Sequence, residues 1–130
     1  MNVLIDTHAL IWLLLESKRL SRRAREAMSQ ARAEGSLVIA DITLWEVAWL
    51  IEHQRITILV SPEQFLQEAV SVVVVEPVTP QIAAMAVRLP ASFPRDPTDR
   101  MITSTALSLG LSLVTADERI RASRVVPTIW

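Results

Sequence analysis

Short apolar runs alternate with longer segments of helical periodicity along most of this chain. The runs are four or five residues long and lie at residues 2–6, 37–40, 72–75, 111–114 and 125–129. This order is typical of βαβ units, in which helices cover both faces of a parallel sheet. We therefore predict an α/β fold with a central, mostly parallel sheet flanked by helices, in one domain over residues 1–130. The four valines at 72–75 predict a buried strand.

Several classes of function are excluded by what the sequence lacks. Cysteine is absent, which excludes disulfide frameworks, thiolate zinc sites and thiol nucleophiles. The two glycines, Gly35 and Gly110, are too few for a dinucleotide-binding GxGxxG loop or a phosphate-binding GxxxxGK[ST] loop. The longest apolar run, Ala9–Leu15, is too short for a membrane span, and the N-terminal residues do not resemble a signal peptide. We therefore expect a cytoplasmic protein without a membrane partner.

Four acidic residues occupy positions that a parallel sheet brings to one edge. Asp6 ends the first strand, and Asp117 lies in the turn after the fourth. Glu46 and Asp99 lie within about one turn of predicted helix starts at that edge, where ligands of such sheets bind. Two carboxylates about 4 Å apart repel by about 4 kcal/mol at an effective dielectric near 20. Since the only lysine is not placed nearby, a hard divalent cation such as Mg²⁺ or Mn²⁺ is the expected counterion.

Each acid also has a purely structural explanation. Asp6 and Asp117 could cap the helices that follow them, and residues 43–46 (TLWE) spell a capping box that ends at Glu46. Asp99 near a helix start is favoured by the helix dipole, and Asp96 precedes a proline, as turn residues often do. If these explanations are sufficient, the protein is a non-catalytic α/β interaction module.

Four segments resemble, in order and spacing, the PIN-domain ribonucleases. They are LIDTHALIWLL, TLWEVA, RDPTDRMITSTAL and LSLVTADERI. The resemblance runs from Asn2 to about Arg121 and is greatest to the VapC-type toxins of bacterial type II toxin–antitoxin pairs. It implies a PIN-like fold and an endoribonuclease that depends on Mg²⁺ or Mn²⁺ and hydrolyses RNA phosphodiester bonds. It also implies an antitoxin partner and a homodimer.

The resemblance assigns roles to individual residues. It implies that four acids bind the metal and carry catalysis: Asp6, Glu46, Asp99 and Asp117. Asp96 belongs to the DPxDR-like motif of the same branch and ranks below them. Thr7 and Thr115 are hydroxyls of the kind that orient a carboxylate or contact phosphate. Arg100 is placed for a phosphate contact or a salt bridge to Asp96.

Basic and aromatic residues provide further candidate contacts. Of the fourteen acids, ten remain beside thirteen basic residues once the four site acids are set aside. Five of the basic residues crowd one stretch: Lys18, Arg19, Arg22, Arg23 and Arg25. A solvated helix face explains this stretch, and an RNA-phosphate surface is the alternative. Trp45 and Trp49 share a helix face, which favours core packing over a groove for an antitoxin helix. We interpret His8 as structural.

A phosphatase-like phosphoryl hydrolase is a further alternative. A haloacid-dehalogenase-like enzyme also has an Asp at the end of its first strand, but it needs a second Asp where this chain has His8. A receiver-like phosphoacceptor needs a lysine after a late strand, and none is present there. Both departures favour a ribonuclease.

Overall fold

Strands and helices alternate along the protein in a computed structural model that describes residues 2–130. Within this range the strands are β1 (Val3–Ile5), β2 (Leu37–Ala40), β3 (Val74–Glu76), β4 (Ser112–Val114) and β5 (Thr128–Ile129). The helices are α1 (Thr7–Leu15), α2 (Arg22–Ala33), α3 (Ile42–Glu52), α4 (Pro62–Val70), α5 (Pro80–Arg88), α6 (Pro97–Leu109) and α7 (Glu118–Ser123). A short 3₁₀ turn, Ser17–Arg19, joins α1 to α2. The predicted α/β alternation is confirmed.

The five strands in residues 2–130 form one sheet in the order β3-β2-β1-β4-β5, and every pairing is parallel. The central strand, β1, lies between β2 and β4, and its Ile5 is level with Val114 of β4. The chain therefore leaves β1 and β4 side by side at the same edge of the sheet.

Apolar side chains pack on both faces of the sheet, since successive residues of a strand point to opposite sides. Val3 and Ile5 of β1 join a cluster with buried residues of α1, α2 and α4. Leu4, between them, joins a second cluster with α6 and α7. This two-faced burial explains why the central strands are apolar throughout.

The valine run at 72–75 differs from its prediction as a buried strand. β3 begins only at Val74, and that side chain is 41% exposed. β3 is the first strand in the sheet order, so it has a neighbour on one side only. The prediction of burial was wrong because the sequence pattern does not reveal a strand's place in the sheet.

A serine or threonine directly before a segment of helical periodicity predicts an N-cap, and α2, α4 and α5 each begin after such a residue. Ser21, Ser61 and Thr79 each accept a hydrogen bond from the backbone N–H three residues on, at 3.0, 3.1 and 3.1 Å. Gly110 ends α6 with a φ of 68°, a left-handed conformation that glycine adopts without strain. No helix within residues 2–130 has both the length and the apolar character needed to cross a membrane.

Candidate active site

An acidic cavity of about 450 Å³ lies beside the ends of β1 and β4. Five carboxylates line it: Asp6, Glu46, Asp96, Asp99 and Asp117. The structure thus brings together the four acids predicted to bind metal, together with the lower-ranked Asp96. Asp6 and Asp117 follow two strands, and the other three acids lie near the starts of α3 and α6, so the group comes from segments far apart in sequence.

Asp6 links the central strand to the first helix. Its backbone N–H donates to the carbonyl of Val114 at 3.1 Å, and its Oδ1 accepts from the N–H of Ala9 at 2.9 Å. Burial raises the pKa of the Asp6 carboxyl, an effect opposed by hydrogen bonds from Thr115 and Ala9 and reinforced by the charge of Asp117. The fully buried Thr115 hydroxyl therefore orients Asp6, as its sequence position suggested.

Glu46 does not belong to a capping box, and that explanation of the residue was wrong. α3 begins at Ile42, so Thr43 lies within its first turn, fully buried, and its hydroxyl accepts from Thr7 at 3.4 Å. The single proton of the Thr7 hydroxyl can instead be donated to the Glu46 carboxyl. Burial raises the pKa of Glu46, the Thr7 bond lowers it, and the charges of Asp96 and Asp6 raise it further.

Asp96 and Asp99 open α6 at the cavity. Oδ1 of Asp96 caps the helix and accepts from the N–H groups of Thr98 at 2.8 Å and Asp99 at 3.3 Å. Burial raises the pKa of Asp99 to about 7, with contributions from the charges of Asp96, Asp117, Glu46 and Asp6 in that order. Asp99 therefore interacts with every other carboxylate of the cavity.

Asp117 caps α7, which is the structural explanation that its sequence position offers. Its Oδ1 accepts from the N–H groups of Arg119 at 2.9 Å and Ile120 at 3.1 Å, and its own N–H donates to Thr115 at 3.1 Å. Asp6, Asp96 and Asp117 thus all cap helices, each through Oδ1. Capping uses one oxygen of a carboxylate that has two, so it does not prevent the same side chain from binding an ion.

The chemistry of this group of side chains suits a hard divalent cation. All five are oxygen donors, and no arginine or lysine among residues 2–130 forms an ion pair with any of them. In the described part of the chain no three metal-ligating side chains converge into a ready-made cage. Mg²⁺ does not need one, because it keeps several waters and is commonly held by one or two carboxylates.

Arg100 does not face the cavity, and both roles predicted for it were wrong. Its guanidinium donates to five backbone carbonyls, at 3.0 to 3.4 Å: those of Ala86, Leu89, Pro90, Phe93 and Pro94. An arginine has five N–H donors, so none is left for a phosphate or for Asp96. Arg100 instead fastens the irregular segment before α6 to the first turn of that helix.

We expect Arg100→Gln to lower the free energy of unfolding by about 2 kcal/mol, since charge-assisted hydrogen bonds are lost and carbonyls lose their partner. Denaturant unfolding measures the change. Arg95→Gln removes the same charge from an exposed position in the same segment and should change stability by less than about 0.5 kcal/mol. Equal stability of the two variants would contradict the role given to Arg100.

Three basic or aromatic residues that line the cavity were not among the predicted site residues. His8 was interpreted as structural, but it is exposed, lines the cavity and lowers the pKa of Asp6 and Glu46 through its charge. Trp12 and Arg19 also line the cavity. Helix spacing could have indicated that His8 and Trp12 lie together near the site, because residues 8 and 12 share a face of the helix that Asp6 starts.

The face of α3 that carries Trp45 and Trp49 is not packed in the core, contrary to the favoured prediction. The two side chains are 57% and 37% exposed. They line a groove of about 560 Å³ between α3 and the start of α6, called here the tryptophan groove. Glu46 and Asp96 belong both to this groove and to the acidic cavity.

Comparison with known proteins assigns the family. The model of the PIN domain family matches residues 3–125. Ribonuclease VapC22 of Mycobacterium tuberculosis is 42% identical over 123 residues, which cover 95% of this chain and 92% of that protein. DNA-bound VapBC from Salmonella typhimurium has a TM-score of 0.73 at 22% identity, covering 98% of this chain and 96% of that one. A toxin–antitoxin complex from Klebsiella pneumoniae has a TM-score of 0.69 at 24% identity, covering 95% and 93%, so both structures share the fold. By these matches, the chain belongs to the PIN-domain family, among the VapC ribonucleases.

Proposed function

We propose that this protein is a metal-dependent endoribonuclease that hydrolyses RNA phosphodiester bonds as the toxin of a toxin–antitoxin pair. The observation that carries the proposal is the meeting of five carboxylates in one cavity without a paired arginine or lysine in residues 2–130. Membership of the VapC ribonucleases supports the same activity. A single PIN domain over residues 1–130 is part of the proposal.

Asp6, Glu46, Asp99 and Asp117 are the residues proposed to hold Mg²⁺ or Mn²⁺. The chemistry that such an ion supplies when bound is activation of water for attack on phosphorus and neutralisation of the charge that develops on the phosphate. The chain itself contributes by holding these carboxylates in fixed positions. Three helix caps and the hydroxyls of Thr7 and Thr115 fix the carboxylates before substrate arrives.

A non-catalytic module whose acids are only caps is disfavoured by two of the five carboxylates. Glu46 caps no helix, and Asp99 lies in the first turn of α6, whose N-cap is Asp96. Both carboxyls have pKa values raised by burial, with further contributions from neighbouring charges. The dipole of α6 offsets part of this cost for Asp99 but not for Glu46, whereas a bound cation offsets it for both.

The proposed protein partners are a cognate antitoxin and a second copy of the chain. Two grooves adjoin the acidic cavity: the tryptophan groove, which is mainly apolar, and a larger one of about 860 Å³ with both polar and apolar side chains, between α1, α4 and residues 55–60. The larger groove shares His8, Trp12 and Arg19 with the cavity. Glu46 and Asp96 line the tryptophan groove, so an antitoxin helix bound there would cover two of the acids, which supports inhibition by direct occlusion. The homodimer is a proposal that rests on the family and on the 51% hydrophobic composition, which favours a buried interface. The cytoplasmic location is a proposal that rests on the family.

The direct test is incubation of the purified protein with total RNA in Mn²⁺, in Mg²⁺ and in EDTA, followed by mapping of the cut ends. We expect discrete cleavage sites with either ion and none with EDTA. Intact RNA under all three conditions, with a protein that is folded by circular dichroism, would contradict the proposal.

Glu46→Gln is expected to lower the rate of cleavage about 100-fold, because a neutral amide replaces a carboxylate proposed to hold the ion. Stability should stay constant or rise slightly, since one charge leaves a crowded cavity. Glu52→Gln, an exposed change on the same helix, is the matched control and should leave both quantities unchanged. A loss of stability with full activity per folded molecule would mean that Glu46 is structural.

A further inference from the structure

Arg19 is the one arginine or lysine of residues 2–130 that lines the acidic cavity. It ends the 3₁₀ turn between α1 and α2, and its side chain is 57% exposed. Of the other basic residues in that stretch, Arg22 is paired with Glu26 at 3.0 Å and Arg25 donates to two backbone carbonyls. Lys18 and Arg23 do not line the cavity. The structure thus singles out one member of the basic stretch.

The guanidinium of Arg19 rests on an aromatic ring. Its central carbon lies 4.4 Å from the ring centre of Trp12, within the range of a cation–π interaction. Trp12 is itself held by the rings of Trp130 at 5.7 Å and His8 at 5.9 Å, and it packs against the core. Arg19 is therefore placed at the cavity by a fixed platform, which reduces the entropy lost when it binds a ligand.

The anion that Arg19 contacts in this structure is easily replaced. Its partner, Glu16, is 3.8 Å away, and both side chains are more than half exposed. Ion pairs of this kind contribute little to stability. A phosphate offers a guanidinium stronger, bidentate hydrogen bonds.

An RNA strand at this cavity needs such a contact. A divalent ion compensates the phosphate at which it is bound, but the neighbouring phosphates of the strand still approach five carboxylates. The negative phosphates and carboxylates repel one another, and a fixed cation at the edge of the cavity offsets that repulsion.

We propose that Arg19 binds an RNA phosphate next to the one that is cleaved, and that Trp12 is a positioning residue that holds the guanidinium there. The inference rests on the proposed ribonuclease function and adds a binding residue to it. It identifies the bound group as a phosphate of the RNA backbone, so the contact is independent of base sequence.

The test measures binding and cleavage separately. Binding of a fluorescein-labelled single-stranded RNA is followed by anisotropy at several salt concentrations, in an Asp6→Asn background to prevent cleavage.

Arg19→Gln should weaken binding about 5- to 10-fold and reduce the slope of log affinity against log salt by about 0.7. Arg19→Lys should keep the slope. Trp12→Phe should keep the slope and weaken binding about 2- to 3-fold. Arg22→Gln, the matched control, should change neither.

Cleavage assays on proteins that retain Asp6 separate a failure of the Arg19 inference from a failure of the proposed ribonuclease function. If the wild-type protein cleaves RNA but Arg19→Gln has unchanged affinity and salt slope, or Arg22→Gln loses as much, the role of Arg19 is overturned alone. A lower melting temperature for Arg19→Gln with an unchanged salt slope would also overturn it, in favour of a structural role. If the wild-type protein cleaves no RNA, the ribonuclease proposal itself fails. Should Arg19→Gln not fold, the lysine and phenylalanine variants decide: wild-type affinity in both would overturn the inference.

Discussion

Asp6→Asn is expected to abolish RNA cleavage and leave the fold intact. Asparagine is as good an N-cap as aspartate, so the bond from the Ala9 N–H to Oδ1 is retained. The change removes the charge at the end of the central strand, where the ion is proposed to bind. We expect the rate to fall about 1,000-fold or more, equivalent to about 4 kcal/mol of transition-state stabilisation. Cleavage of a labelled RNA in Mn²⁺ measures the loss, and thermal unfolding measures the fold.

The control for Asp6→Asn is a variant that should lose stability but keep its cleavage activity. Ser61→Ala removes the cap of α4, a helix that does not line the acidic cavity. It should cost about 1 kcal/mol of stability and leave cleavage per folded molecule unchanged. Wild-type cleavage by Asp6→Asn would remove Asp6 from the mechanism.

Without a divalent cation, the protein is expected to lose stability as the pH rises from about 4 to about 7. The pKa of Asp99 is about 7 in the folded protein and 3.8 as its ordinary value, so the folded state binds more protons between these two values. The contribution of the protonated Asp99 carboxyl to the free energy of unfolding is complete below pH 3.8, and it is lost as the pH passes the folded pKa of about 7. Burial and neighbouring charge raise the pKa values of Asp6 and Glu46 in the same direction. For Asp99 the displacement corresponds to at most about 4 kcal/mol, which solvent screening at a partly exposed position reduces to about 2 kcal/mol.

Addition of Mn²⁺ at pH 7.5 is expected to reverse this loss. A ligand at 100 times its dissociation constant stabilises the folded state by about 2.7 kcal/mol, which raises the melting temperature of a chain this long by about 10 °C. Asp99→Asn should remove most of the pH dependence and much of the Mn²⁺ effect, whereas Glu63→Gln, at an exposed position, should preserve both. A flat pH profile without any gain from Mn²⁺ would favour the non-catalytic module.

The sequence predicts those features of the fold that depend on local pattern. β2 was predicted to the residue, and the caps of α2, α4 and α5 were predicted from single Ser or Thr side chains. The exposure of Val74 was not predictable, because it follows from the position of β3 at the sheet edge. Local pattern specifies that a strand forms, whereas its neighbours are chosen by the packing of the whole chain.

The same distinction applies to the site. Asp6 and Asp117 could be predicted to lie together because each follows a strand of a parallel sheet. The capping box at Glu46 was misleading because α3 begins two residues earlier than that box requires, after Asp41. The Asp41 carboxylate accepts from the N–H of Val78 at 3.0 Å. That contact spans 37 positions and leaves no trace in the local sequence.

The five carbonyl bonds of Arg100 have a consequence for how this protein tolerates change. They hold a proline-rich connection, which pairs with no strand, against the first turn of α6. Insertions or deletions there would displace two acids at once, through the start of one helix. Natural variation in length should therefore be selected against at residues 90–95.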